Sequence, residues 1–123
     1  SKVTIMHLDV DNLTSRGNTI SPYEISSLMF KLYAKMSEFF LSKKALSFFM
    51  GGDNFMVVAN SNHRESAEEF IDIIKNELGI ELNCGIGTGK TARNAVKLAT
   101  KSLDTIREIR DSGKEKPEIY ELT

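Results

Sequence analysis

Residues 45–59 read ALSFFMGGDNFMVVA: two short apolar runs, 45–50 and 55–59, joined by Gly51-Gly52-Asp53-Asn54. Glycine, aspartate and asparagine tolerate the left-handed backbone of tight turns, so the stretch predicts a β-hairpin with the tetrapeptide at its tip. Upstream, Ser21-Pro22-Tyr23-Glu24 supplies a serine N-cap, a proline for the first helical position and a glutamate able to complete a capping box. Ile25, Leu28, Met29, Leu32, Met36, Phe39 and Phe40 then recur at helical spacing, predicting a long helix with one buried stripe. Residues 2–8 alternate, Val3, Ile5 and His7 against Thr4, Met6 and Leu8, as a central strand that ends at Asp9.

Downstream of the hairpin, a helix starting at Asn62 or His63 turns Phe70, Ile71, Ile74 and Leu78 inward and stops at Gly79. Ile80, Leu82, Cys84 and Ile86 alternate with Glu81, Asn83 and Gly85, which predicts a half-buried strand. Thr91 caps a third helix with Ala95, Ala99, Leu103 and Ile106 inside and Gly113 at its end, and residues 118–122 suit an edge strand. The order is βαββαβ plus one helix and one strand, an α+β chain of ferredoxin-like plan, expected as a single domain over residues 1–123.

That plan fixes directions. A helix crosses between the first two strands, so they run the same way and the third returns antiparallel. The C-terminal end of the first strand and the hairpin tip therefore share one edge, bringing Asp9 beside Asp53. The fourth strand ends at the far edge, and the third helix runs back toward the carboxylates with Arg107 and Arg110.

Sixteen basic and seventeen acidic side chains give a net charge of -1, so no bulk field recruits nucleic acid or an anionic membrane. One cysteine excludes an internal disulfide and makes a reducing, cytoplasmic address the expectation; Cys84 reads as a small core residue. The start, SKVTIMHLDVDN, reads as neither signal peptide nor membrane span, so a soluble protein is expected.

Two carboxylates at one sheet edge, one on a glycine-flanked tip, suit a magnesium and phosphate site: Mg2+ takes a few hard oxygens and leaves other positions to water and phosphate. Gly51 and Gly52 allow close approach of a triphosphate. Gly-Gly-Asp-Asn is equally a good turn on composition alone. Gly85-Ile86-Gly87-Thr88-Gly89-Lys90-Thr91 is not a P-loop, because Cys84 stands where that motif needs glycine, and it reads as a strand exit and helix cap. His7 shares a face with Asp9 and reads as structural before substrate-touching, and His63 as a solvated residue at a helix start. Phe48, Phe49 and Phe55 read as core. Asn12, Asn18 and Tyr23 could read a base edge, with turn and cap roles ahead.

His7-Leu8-Asp9-Val10-Asp11-Asn12 followed by Gly51-Gly52-Asp53-Asn54 resembles the palm-type nucleotide cyclases: GGDEF diguanylate cyclases, type III CRISPR polymerases and archaeal GTP cyclohydrolase III. The stretches CGIGTGKT (84–91) and LATKSLDTIR (98–107) are similar to the late strand and helix of these enzymes, and the whole looks most like a minimal CRISPR polymerase. The resemblance implies Asp9, Asp53 and the Val10 carbonyl as ligands of Mg2+ or Mn2+, with Asp9 and Asp53 catalytic. It implies that Asp11, Asn12 and Leu13 hold outer phosphates through backbone amides, and that Gly51, Gly52, Asn54 and Arg107 contact substrate. It further implies nucleoside triphosphate substrates, ATP ahead of GTP, joined with pyrophosphate release into a cyclic nucleotide signal by a homodimer with facing sites, in anti-phage defence. Asn54 stands where diguanylate cyclases carry a second acid, and Leu13-Thr14 replaces their Phe-Lys. The alternatives are GTP hydrolysis of the cyclohydrolase III kind, resembling one half of a tandem enzyme, and a nucleotide-binding module without catalysis.

Overall fold

The computed structural model describes residues 1–11 and 20–123. Among these, five strands and three helices follow one another as β1 (Val3–Val10), α1 (Pro22–Ser42), β2 (Leu46–Gly51), β3 (Asn54–Val58), α2 (His63–Leu78), β4 (Leu82–Gly89), α3 (Ala92–Asp111) and β5 (Ile119–Leu122). They build one sheet of order β2-β3-β1-β4-β5. The pairs β2/β3, β3/β1 and β1/β4 are antiparallel, and β5 lies parallel to β4 at the edge. This is the ferredoxin-like palm expected from the order of elements.

Local chemistry sets the ends. The Ser21 hydroxyl accepts the Glu24 N–H at 3.2 Å with proline in the first turn, and the Thr91 hydroxyl accepts the Asn94 N–H at 3.1 Å. At the hairpin tip Gly51 and Gly52 have φ of +95° and +59°, a conformation that penalises any residue with a Cβ.

Helices α1 and α2 cover one face of the sheet. Met6, Leu8, Val10, Phe55 and Val57 meet Met29, Leu32, Met36, Phe40, Phe70 and Ile74 in the main core, each side chain contributing about 1.5–3 kcal/mol by burial. Helix α3 covers the opposite face over β1 and β4, where Ile5 packs on Ala95 and Ala99.

Four expectations need correction. β1 runs on through Asp9 and Val10, because they pair with Asn83 and Leu82 of β4 and the Asp11 N–H donates to the Glu81 carbonyl at 2.8 Å. β4 is buried on both faces rather than half-buried: a Cβ on Gly85 or Gly87 would run into the α3 backbone at Ala95, Ala99 and Leu103, so these glycines let the helix lie on the strand. Phe48 is exposed, whereas Phe49 packs against the core and Phe55 is buried in it. His63 is not simply solvated: its Nε2 meets Glu121 Oε2 at 3.0 Å while Arg64 donates to Glu121 Oε1 at 3.2 Å, tying α2 to β5. Burial opposes ionisation of Glu121, yet His63 and Arg64 outweigh it and hold the carboxyl below its ordinary range.

Cys84 is fully buried as expected, and burial pushes its thiol far above the ordinary value. Among the described residues no helix is long and apolar enough to cross a membrane.

The glycine face of β4 yields a direct test. Gly87→Ala, which places a methyl group against backbone that cannot step aside, should lower unfolding stability by ~2 kcal/mol or more in urea titrations. A loss below about 0.5 kcal/mol would mean that α3 does not rest on this strand.

Candidate functional site

The β1 end carries Asp9 on the face under α3, and the β2–β3 turn brings Asp53 alongside: Asp53 Oδ2 accepts the Val10 N–H at 3.3 Å. The two acids that were far apart in sequence thus meet as the strand directions require. Asp9 is almost wholly buried. Arg107 donates to its Oδ2 from Nη2 at 2.6 Å and from Nε at 3.0 Å, and Asn83 Nδ2 donates to Oδ1 at 3.0 Å.

Asp11 is equally buried but differently served. Its Oδ1 accepts from Asn83 Nδ2 at 3.2 Å and from Arg110 Nη1 at 3.1 Å, and Lys116 Nζ lies 3.5 Å from Oδ2. Lys116 also donates to Asn83 Oδ1 at 2.6 Å. A single buried amide therefore ties both acids to one lysine.

The two carboxyls respond in opposite directions. Burial raises the Asp9 pKa; Arg107 and then Asn83 pull it down without cancelling the rise, and the charge of Asp53 adds to it. Burial also works on Asp11, but Asn83, Lys116 and Arg110 outweigh it and hold that carboxyl below its ordinary range. Asp9 is thus the acid whose negative charge is incompletely compensated, and the one that gains most from a cation.

Asp9 and Asp53 together offer hard carboxylate oxygens on either side of Val10. Among the described residues no third His, Cys, Asp or Glu joins them as a metal-holding group. The donor set fits one divalent cation that keeps positions for water and phosphate. Arg107 already fills the lone pairs of Asp9 Oδ2, so a cation there competes with the guanidinium.

Of the other residues expected at the site, Gly51 and Gly52 form the exposed tip. Asn54 opens β3, donating to Asp53 Oδ1 at 3.4 Å and offering its Oδ1 to His7 Nε2 at 3.0 Å. His7 Nδ1 meets Thr100 Oγ1 at 3.1 Å, so both ring nitrogens are engaged and His7 braces the tip from below. The Asp11 amide is already given to Glu81, which removes it from the expected phosphate-holding turn. Asn12 and Leu13, with Asn18, lie outside the described residues. Tyr23 is exposed on the first turn of α1.

Sequence reasoning missed Asn83, Thr100 and Lys116. Asn83 carried one usable signal: the expected directions place β4 beside β1, and a polar residue on that strand directly opposite Asp9 is a natural partner for it.

The fold is that of a ferredoxin-like palm, with Asp9 and Asp53 at one edge of its sheet. Residues 1–118 match the sequence profile of the GTP cyclohydrolase III family, and the chain belongs to that family. It is 35% identical over 121 residues to GTP cyclohydrolase III of Methanococcus maripaludis, covering 98% of this chain and 44% of the relative. Against the Methanocaldococcus jannaschii enzyme of the same name it is 39% identical over 109 residues, covering 85% and 40%. The chain thus spans less than half the length of these relatives. Among solved structures it resembles the FimX GGDEF domain of Pseudomonas aeruginosa (TM-score 0.76, 14% identity, 98% of this chain and 80% of that one). It also resembles a bacterial light-regulated adenylyl cyclase (TM-score 0.70, 12% identity, 88% and 71%). These likenesses establish the fold. The family shown is the one that the sequence reading placed behind the CRISPR polymerases.

If the Asn83 amide holds both acids, Asn83→Leu leaves two carboxylates and an ammonium short of a partner at similar volume. It should cost about 2–3 kcal/mol of unfolding free energy, measured by urea titration. Unchanged stability would show that the buried network carries no weight.

Proposed function

We propose that the chain is a divalent-metal-dependent palm unit that acts on GTP by hydrolytic opening of the guanine imidazole ring. The carrying observation is the Asp9–Asp53 pair, one member buried and incompletely neutralised, at the edge where a glycine tip permits a triphosphate to approach. The name shared by its relatives supports GTP over ATP and hydrolysis over cyclisation.

In this reading Asp9 and Asp53, with the Val10 carbonyl, hold Mg2+ or Mn2+. Bound there, the cation supplies positive charge to the triphosphate and acidifies a water. Arg107, which donates to Asp9 Oδ2, would serve the outer phosphates once the acid held the cation. Gly51 and Gly52 bring backbone close to the phosphates, and Asn54, braced by His7, orients Asp53 and contributes an amide to the substrate. Water adds to the carbon between the two imidazole nitrogens, and cleavage of one carbon–nitrogen bond leaves a formylated aminopyrimidine. Because the relatives are more than twice as long, two such units acting together belong to this reading.

Cyclic nucleotide synthesis is the second reading. It uses the same acids and rests on the Gly-Gly-Asp-Asn tip, which departs from a double acid only at Asn54.

Incubation of the chain with GTP or ATP plus Mg2+ or Mn2+, followed by mass spectrometry, separates the readings. A formylated pyrimidine from GTP is expected; a cyclic dinucleotide or untouched nucleotide would overturn the proposal. Asp53→Ala and Asp9→Asn should each reduce turnover by roughly 100-fold or more, since even the outer partners of metal ligands cost 10–100-fold. Retained turnover in either variant would remove that residue from the site.

A further inference from the structure

His7 stands two residues before Asp9 on β1, so strand alternation puts both side chains on the face under α3. Only 9% of the residue is exposed, and a polar ring held there needs a partner at each nitrogen. The partners come from two different elements. Nδ1 meets the Thr100 hydroxyl of α3 at 3.1 Å, and Nε2 meets Asn54 Oδ1 of β3 at 3.0 Å. An amide oxygen only accepts, so Nε2 must carry a hydrogen. In the neutral ring Nδ1 is then a lone pair, which the threonine hydroxyl, able to give or take, satisfies by donating.

The same constraint passes on to the tip. Asn54 has its oxygen on one side of a flat amide and its NH2 on the other, and the ring claims the oxygen. The NH2 therefore faces Asp53, whose Oδ1 accepts from it at 3.4 Å while Oδ2 accepts the Val10 N–H at 3.3 Å. Both contacts are long for hydrogen bonds, and Gly51 and Gly52 beside them are exposed, so Asp53 depends on the amide keeping its orientation. Turned over, Asn54 would set oxygen against oxygen.

We propose that His7 is a positioning residue for Asp53, acting through Asn54 and anchored by Thr100. Its Nε2–H holds the amide oxygen, and the amide's NH2 holds the carboxylate beside Val10. Asn54 thus serves the tip as a donor, because the oxygen that could ligate a cation is already given to His7. Thr100 and Arg107 are seven residues apart, two turns of α3 along one face. A single helix face therefore sets both acids: Arg107 at Asp9 directly, and Thr100 at Asp53 through the ring. For its effect on metal binding the inference rests on the reading of Asp53 as a cation ligand, which it deepens. The chain of hydrogen bonds stands without a metal.

Two substitutions separate the Nε2 donor from the rest of the ring. A glutamine amide nitrogen reaches the place of Nε2, whereas an asparagine amide reaches only that of Nδ1, so His7→Gln keeps a donor for Asn54 and His7→Asn does not. In metal-free protein labelled with carbon-13 at the aspartate carboxyls, the Asp53 resonance should shift in His7→Asn and return toward its wild-type position in His7→Gln. Mn2+ affinity, read by electron paramagnetic resonance, should fall ~10-fold or more in His7→Asn and stay within about 3-fold of wild type in His7→Gln, as expected of a partner behind a metal ligand. Circular dichroism reports whether each variant is folded. Should His7→Asn fail to fold, Thr100→Val, which removes the anchor of the ring from the half-buried side of α3, takes its place and should move the Asp53 resonance likewise. An Asp53 resonance or a Mn2+ affinity unchanged by loss of the donor would overturn the proposal, as would a neutral His7 whose nitrogen-15 spectrum puts the hydrogen on Nδ1. A wild type that binds no Mn2+ while its Asp53 resonance still follows the donor would support the positioning role and refute the cation site.

Discussion

A carboxylate taken out of water has to be compensated, and two are buried two residues apart where β1 ends, Asp9 within the strand and Asp11 just after it. The compensation comes from Arg107 and Arg110 near the end of α3, from Lys116 just after it, and from Asn83 on the neighbouring strand. For those arginines to reach the acids, α3 must run back along the sheet directly above β4. Gly85 and Gly87 make room for that approach, and Ala95 and Ala99 give the helix a flat underside. The glycine-rich stretch that imitates a phosphate loop is therefore a packing device, and the placement of the helix follows from the charge on β1.

The compensation is uneven, and the unevenness has chemical content. Asp11 is satisfied several times over and belongs to the scaffold. At Asp9 burial outweighs the help of Arg107 and Asn83, so its charged form stays the costlier of the two beside Asp53.

Much of this was legible from residue order. The hairpin tip, the Ser21-Pro22 helix start and the alternation of β1 together fix the strand directions, and the directions alone bring Asp53 to Asp9 and turn Arg107 toward both. Other features left no mark. Alternation shows that Leu46 and Phe48 share a face but not whether a helix lies over it, so Phe48 was expected in the core. The glycines of β4 look the same whether they turn the chain or make room for a helix. Lys116 lies in a charged tail of residues, and only the fold shows that its head group reaches a buried amide. The ranking of relatives also came out reversed, because the Asp9 and Gly-Gly-Asp motifs on which the resemblance rested were read as common to the cyclases and the cyclohydrolase and did not separate the two.

The account turns on Asp9 and Asp53 acting as one cation site. The most direct test is a double-mutant cycle on Mn2+ affinity, followed by electron paramagnetic resonance with GTP present, for wild type, Asp9→Asn, Asp53→Ala and the pair. A shared ion predicts that either substitution alone removes nearly all the affinity lost by both together. Independent, additive losses, or Mn2+ bound as tightly by the double variant as by wild type, would contradict it.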